Sequence, residues 1–225
     1  MSVIGPFNYG YAAGVLNSPE EVIRSCQNDP ADYLLPPCFS ISSGTWGFIV
    51  GLFSIGGLVG GMTGGSLANR LGRRGSMLIT NIFFILGSLL MSVAPSVWVL
   101  GLGRTLIGIG AGIATVVVPL YLGEISPSNL RGAIGVLTQL ALTTGILVSQ
   151  VLGLFMSDVP EWRWLVGIVG FLDIVQTVIL PICPESPRVR KEKWNWVIVV
   201  TFCVVFMVIY GSFVAFYDDI FLRSF

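Results

Sequence analysis

The residues able to do chemistry in this sequence are few, and most stand inside or at the edges of apolar runs. Gln139 opens Gln139-Leu140-Ala141-Leu142-Thr143-Thr144-Gly145-Ile146, Arg104 sits in Gly103-Arg104-Thr105, and Asp173 follows Phe171-Leu172. An amide in such surroundings offers donors and an acceptor to another polar group. Taken alone, Gln139 reads as an interhelical hydrogen bond. A guanidinium or carboxyl within an apolar span is costly unless it meets a partner or a water-filled cavity. Two readings of Arg104 stand side by side: snorkelling toward an interface, because it lies early in its run, or an ion pair with an acid at a helix end, Glu124 or Glu185. Asp173 reads as a buried polar contact or a neutralised acid, with a proton relay as the sharper alternative.

Other chemistries find no residues to carry them. There is no His, and the four Cys are scattered, so neither zinc nor haem spacing is present and no metal or cofactor is expected. The adjacent pairs Glu20/Glu21 and Asp218/Asp219 are neighbours whose side chains point apart rather than converging as acid and base. No nucleophile and base come together, so the chain is not expected to be an enzyme. Gly108-Ile109-Gly110-Ala111-Gly112 looks like a nucleotide loop, but it lies within an apolar run with no strand before it, and no Walker loop occurs. Twelve basic residues balance twelve acidic ones, which leaves nothing to neutralise a nucleic-acid backbone.

The elements that must position these groups are read from hydropathy. Of the 225 residues 54% are hydrophobic and only 11% charged, with a mean hydropathy of +0.84. A soluble domain carries about 25% charged residues, so the solvent here is mostly lipid. After a short, Pro6-interrupted stretch ending near Asn17, apolar runs occupy about 46–68, 77–93, 97–121, 132–156, 164–183 and 194–217. Helices are the elements that satisfy their own backbone in lipid, and the runs lack the alternation of a barrel. The expected fold class is therefore all-α and polytopic. The first stretch is the weak span, and it lacks the basic start and cleavage site of a signal peptide.

Charge sets an orientation. Arg70, Arg73 and Arg74 follow the second span, and Arg188, Arg190, Lys191 and Lys193 follow the sixth. Both are expected in the cytosol with the N-terminus. The loop 17–45, with four acids against Arg24, and the end with Asp218 and Asp219 then fall outside. Cys26 and Cys38 share that outer loop, where an oxidising compartment allows a disulfide; two free thiols are the alternative. Gly56-Gly57-Leu58-Val59-Gly60-Gly61-Met62-Thr63-Gly64-Gly65 repeats small residues every four positions, the pattern of close helix packing in lipid, and the Gly108–Gly112 series reads the same way.

Four segments in order carry a family resemblance: Gly65-Ser66-Leu67-Ala68-Asn69-Arg70-Leu71-Gly72-Arg73-Arg74, Gly103-Arg104-Thr105-Leu106-Ile107-Gly108, Pro119-Leu120-Tyr121-Leu122-Gly123-Glu124-Ile125-Ser126-Pro127 with Arg131-Gly132, and Pro184-Glu185-Ser186-Pro187-Arg188. They resemble the signatures of the sugar porters of the major facilitator superfamily, and Tyr9-Gly10-Tyr11-Ala12-Ala13-Gly14-Val15-Leu16-Asn17 resembles the first helix of facilitative hexose transporters. The resemblance implies a six-helix half of a major facilitator fold over 1–188, followed by a divergent tail, 189–225, with a seventh span. It implies a substrate site of Gln139, Ile146 and Tyr9 for a neutral sugar, and a gating network of Arg70, Arg73, Arg74, Arg104, Glu124, Arg131, Glu185 and Arg188. In the family such a network latches the outward-open state. Asn69 stands where the family usually has Asp, which implies a weaker latch.

Ala12 occupies the place where proton-coupled relatives carry a carboxylate, so facilitated diffusion by alternating access is expected over symport. Complete sugar porters have twelve spans, and the expectation is that this chain is a truncated half. The alternative is a transporter-like membrane protein that does not transport: a sensor, an assembly partner or an inactive splice product. The expected partners are a small-molecule sugar, the bilayer of the plasma or vacuolar membrane, and a missing C-terminal half or a second copy.

Overall fold

The structure is a computed structural model that describes residues 4–24, 36, 38–127, 129–156 and 161–180. Among the described residues six helices follow one another: α1 (Ile4–Gly14), α2 (Glu20–Arg24), α3 (Ser43–Ser92), α4 (Val97–Ile125), α5 (Arg131–Phe155) and α6 (Trp162–Ile179). The described residues contain no strand. Four of the helices, α3 to α6, are long and apolar enough to cross a membrane. The run expected at 194–217 lies outside the described residues, as do Cys26, Cys183, Glu185, Arg188 and the whole of 189–225.

The expected second and third spans are one helix by hydrogen bonding and two by direction. α3 has 50 residues, about 75 Å if it were straight, far longer than the roughly 30 Å hydrocarbon core. It breaks at Gly72, whose φ of 77° and ψ of 172° suit a residue without Cβ. The limbs 43–71 and 73–92 correspond to the two apolar runs on either side of the basic turn. α1 has 11 residues, about 16 Å, which accords with its reading as the weak span. It is nevertheless wrapped by protein: Gly5, Asn8, Gly10, Tyr11, Ala12 and Gly14 are buried.

Glycine sets the helix spacings. A Cβ on Gly60 would stand 2.1 Å from the Ile109 carbonyl oxygen, and one on Gly108 2.2 Å from that of Phe53, so α3 and α4 meet backbone to backbone on glycines from both sides. Lipid supplies no hydrophobic drive between helices, and close contact takes its place. Both glycine series therefore serve packing, and the nucleotide-loop likeness of 108–112 ends there. α5 meets α1 in the same manner. Its buried residues, Ala141, Gly145, Ser149 and Gly153, recur every four positions, and a Cβ on Gly145 would lie 2.2 Å from the Phe7 carbonyl oxygen. The rest of α5 is largely uncovered, with Val136, Leu140, Leu147 and Leu154 exposed.

At the end of the bundle away from Gly72, Arg163 fastens three segments. Its Nη1 donates to Ser92 O at 2.6 Å, and its Nη2 to Pro36 O at 2.8 Å and to Ala94 O at 3.1 Å. A cation on the last carbonyls of α3 is favourable, because those groups lack helical donors and carry partial negative charge. The Trp162 ring lies 4.6 Å below the guanidinium and forms part of a central cluster with Tyr11, Phe84, Ile107 and Leu165. Cys38, near this end, is disulfide-bonded.

Candidate functional site

α1, α4 and α5 border a cleft of about 180 Å³, lined by Pro6 and Tyr9 of α1, Thr115 and Pro119 of α4, and Thr138 and Gln139 of α5 among others. Two of the three sequence-derived substrate residues thus face one space, although 130 positions of chain separate them. Gln139 is exposed and Tyr9 half-buried. Tyr9 is held in orientation by stacking on Phe53, with ring centroids 5.9 Å apart. Among the described residues, neither the Gln139 amide nor the Tyr9 hydroxyl makes a hydrogen bond, so both retain capacity for a ligand. Ile146 is not in the lining. It sits two turns along α5 beside Gly14, where its Cγ2 would be 3.6 Å from a Cβ at that position.

The lining contains groups that the sequence alone did not single out. Pro119 has no N–H, so the Thr115 carbonyl four residues earlier loses its helical donor next to the cleft. The hydroxyls of Thr115 and Thr138 turn back onto the carbonyls of Gly112 and Gly135, both at 2.7 Å. Each oxygen keeps lone pairs to accept from a ligand. The available signal was weak: a single Thr four positions before a proline in an apolar helix, and a Thr next to Gln139.

The basic turn at Gly72 yields one strong ion pair. Arg73 donates from Nη2 to Glu124 Oε1 at 2.7 Å and from Nε to Oε2 at 3.0 Å, a two-pronged contact between side chains that are only 10% and 7% exposed. Its Nη1 donates to the Ala68 carbonyl at 2.9 Å and so closes the end of the first α3 limb. The pair is nearly buried, and its strength depends on both members being present. Arg70 and Arg131 are exposed at the same end and make no ion pair among the described residues. Arg74 is half-buried there and has its own contacts.

Arg104 takes neither the snorkelling position nor a pairing with Glu124, and Glu185 lies outside the described residues. Arg104 is 1% exposed, and Glu124 is engaged by Arg73 at the far end of α4. Its Nη1 instead donates to the Ala12 carbonyl of α1 at 2.6 Å, and the guanidinium carbon lies 5.7 Å from the centroid of the Phe53 ring. Nε and Nη2 have no hydrogen-bond partner among the described residues. Arg104 thus joins α4 to α1 in the bundle interior and stands apart from the charges at Gly72. Phe53 lies between Arg104 and Tyr9, so the cleft and the buried cation share one aromatic ring.

Helices long enough to span a membrane, small-residue seams between α3 and α4 and between α1 and α5, and a mostly apolar cleft with a few polar groups beside the short first helix define a membrane helix bundle. Residues 1–192 match the family described as Sugar (and other) transporter, and the chain belongs to that family. It is 43% identical over 204 residues to the solute carrier family 2, facilitated glucose transporter member 3 of Rattus norvegicus, an overlap covering 86% of this chain and 41% of that relative. To member 3 of Homo sapiens it is 42% identical over 208 residues, 87% of this chain and 42% of the other. To member 14 of Homo sapiens it is 43% identical over 208 residues, 87% and 40%. The chain spans about two-fifths of the length of these curated relatives.

Among solved structures, the major facilitator superfamily proton:xylose symporter XylE bound to 6-bromo-6-deoxy-D-glucose superposes with a TM-score of 0.71 at 24% identity, over 83% of this chain and 44% of that one. The inward open conformation of the xylose transporter XylE from E. coli gives 0.69 at 25%, over 83% and 47%. The fold is that of half a major facilitator bundle in a multi-pass membrane protein.

Proposed function

We propose that this chain supplies the sugar-binding wall of a hexose transporter that works by facilitated diffusion and alternating access. The observation that carries this is the cleft, where Tyr9 and Gln139 meet with their polar atoms free and with Thr115 and Thr138 beside them. A neutral polyol needs donors and acceptors in a mostly apolar frame, and an amide, a phenol and two hydroxyls provide them. The volume is below the roughly 300–1,000 Å³ of a complete small-molecule pocket, which supports its being one wall of a larger site. Ala12, facing Arg104 through its carbonyl only, leaves the first helix without an ionisable group at that point, in support of uniport.

The Arg73–Glu124 pair acts in this account as a clasp between the Gly72 turn and the end of α4, on the cytosolic side by the arginine bias of that turn. Alternating access requires such a clasp to open and close as a unit. The test is radiolabelled hexose uptake into proteoliposomes containing the chain. Gln139→Ala is expected to reduce uptake at least tenfold, the effect of losing about 1.4 kcal/mol of hydrogen bonding. Uptake unaffected by that change would remove Gln139 from the site, and no uptake above protein-free vesicles would favour a non-transporting role.

A further inference from the structure

About a quarter-turn round α1 from the cleft lies a buried polar cluster that sugar binding does not use. Asp173 of α6 is 1% exposed, and Asn8 of α1 is fully buried. Asn8 Nδ2 donates to Asp173 Oδ1 at 2.8 Å. One turn further along α6, the Thr177 hydroxyl donates to the Asp173 backbone carbonyl at 2.7 Å and accepts from Asn81 Nδ2 of α3 at 2.8 Å. Gln176 completes the layer, its Nε2 3.7 Å from where a Cβ on Gly5 would stand, one turn before Asn8. What is left over is all of one kind. Asn8 Oδ1, Asp173 Oδ2, Gln176 Oε1 and Asn81 Oδ1 are buried oxygens without a donor.

Among the described residues no cation answers the carboxyl either. On α1, Tyr11 sends its hydroxyl to Leu165 O at 3.0 Å, two turns back along α6. Arg104 of α4 touches α1 at Ala12 O, one turn beyond Asn8. On α3, Arg73 is held by Glu124 and Ala68, and Arg74 stands next to it, two turns from Asn81. On α5 the charged group is Arg131, exposed in the first turn. None of these contacts Asp173. Among the described residues the site has acceptors without donors and a carboxyl without a counter-ion, and one proton neutralises the carboxyl and gives one of those acceptors a donor. An O–H on Asp173 Oδ2 removes a desolvated charge and adds a donor among these unsatisfied oxygens.

We propose that Asn8, Asp173 and Gln176 form a proton-binding site inside the helix bundle, with Asp173 as the group that takes up and releases the proton. The proton adds from water to a lone pair of Oδ2; on release the electron pair stays on the carboxylate and the proton returns to water. An ionised Asp173 has only the Asn8 amide to solvate it, so release requires the seam between α1 and α6 to admit water. α1 carries Pro6 and Tyr9 on its neighbouring face. Protonation is therefore linked to the position of one wall of the cleft, an extension that rests on the proposed sugar site, whereas the proton site does not.

Infrared spectroscopy of the full chain in liposomes tests this. At neutral pH a protonated-carboxyl C=O band is expected that shifts on exchange into deuterium oxide, vanishes reversibly as pH rises, is absent from Asp173→Asn and is moved but retained in Asp173→Glu. Absence of the band at every pH, a band that never exchanges, or a carboxylate band perturbed by sodium ions instead of protons would each overturn the proposal. Hexose affinity on the same vesicles should change about fivefold or more across the pH range in which the band is lost, and be flat in Asp173→Asn. A pH-independent affinity in the unsubstituted chain contradicts the link to α1. An exchangeable band with no hexose binding contradicts the proposed function and leaves the proton site standing.

Discussion

Gln139 and Arg104 are each a polar residue in a largely apolar helix, and their environments separate them. Gln139 keeps its amide free in a cleft, whereas Arg104 is sealed against a backbone carbonyl and an aromatic ring. Sequence reached Gln139 and Tyr9 through flanking motifs, which fix register. It could not reach the Asn8–Asp173 contact, because these residues are 165 positions apart and belong to no motif. It also did not reach the Arg104–Ala12 contact, since the acceptor is a main-chain oxygen that leaves no trace in residue identity. At this scale the Arg73–Glu124 pair makes a firm prediction. Glu124→Gln takes the carboxylate away from a nearly buried guanidinium and is expected to cost about 3 kcal/mol of stability, read as a lowered melting temperature in detergent. Arg70→Ala, exposed and outside any ion pair among the described residues, should change it by less than about 0.5 kcal/mol.

The helices themselves were legible, because lipid demands long apolar runs and charges mark their ends. The break at Gly72 falls between the second and third apolar runs, among the arginines that mark the end of the second span. The α1–α5 seam was not legible, since Ala141, Gly145, Ser149 and Gly153 mix three residue types and do not stand out as a glycine series. Two neighbouring glycines of α3 should respond in opposite ways. Gly60→Val drives a side chain into the Ile109 backbone, whereas Gly61 has nothing within 4 Å of an added Cβ. The first change is expected to cost about 1–3 kcal/mol or more through overpacking and the second little, as read by the yield and melting temperature of purified protein. Gly72→Ala must hold a Cβ at positive φ and should cost about 1–2 kcal/mol.

For the whole molecule, one end of the bundle is held by Arg163 on three carbonyls and the other by Arg73 on Glu124, with the cleft between them. The proposed orientation puts the Gly72 end in the cytosol. A cysteine introduced at Arg70 should then react with an impermeant maleimide only after cells are opened, and labelling in intact cells would reverse the sidedness. The central claim is that the space bordered by Tyr9, Thr138 and Gln139 holds a hexose. It is tested most directly by placing a cysteine at Thr138 and following its rate of thiol labelling in the reconstituted chain, with Leu154→Cys on the exposed face of α5 as reference. Glucose is expected to slow labelling at 138, leave 154 unchanged, and lose its effect when Gln139→Ala is added. Equal labelling with and without glucose at both positions would contradict the account.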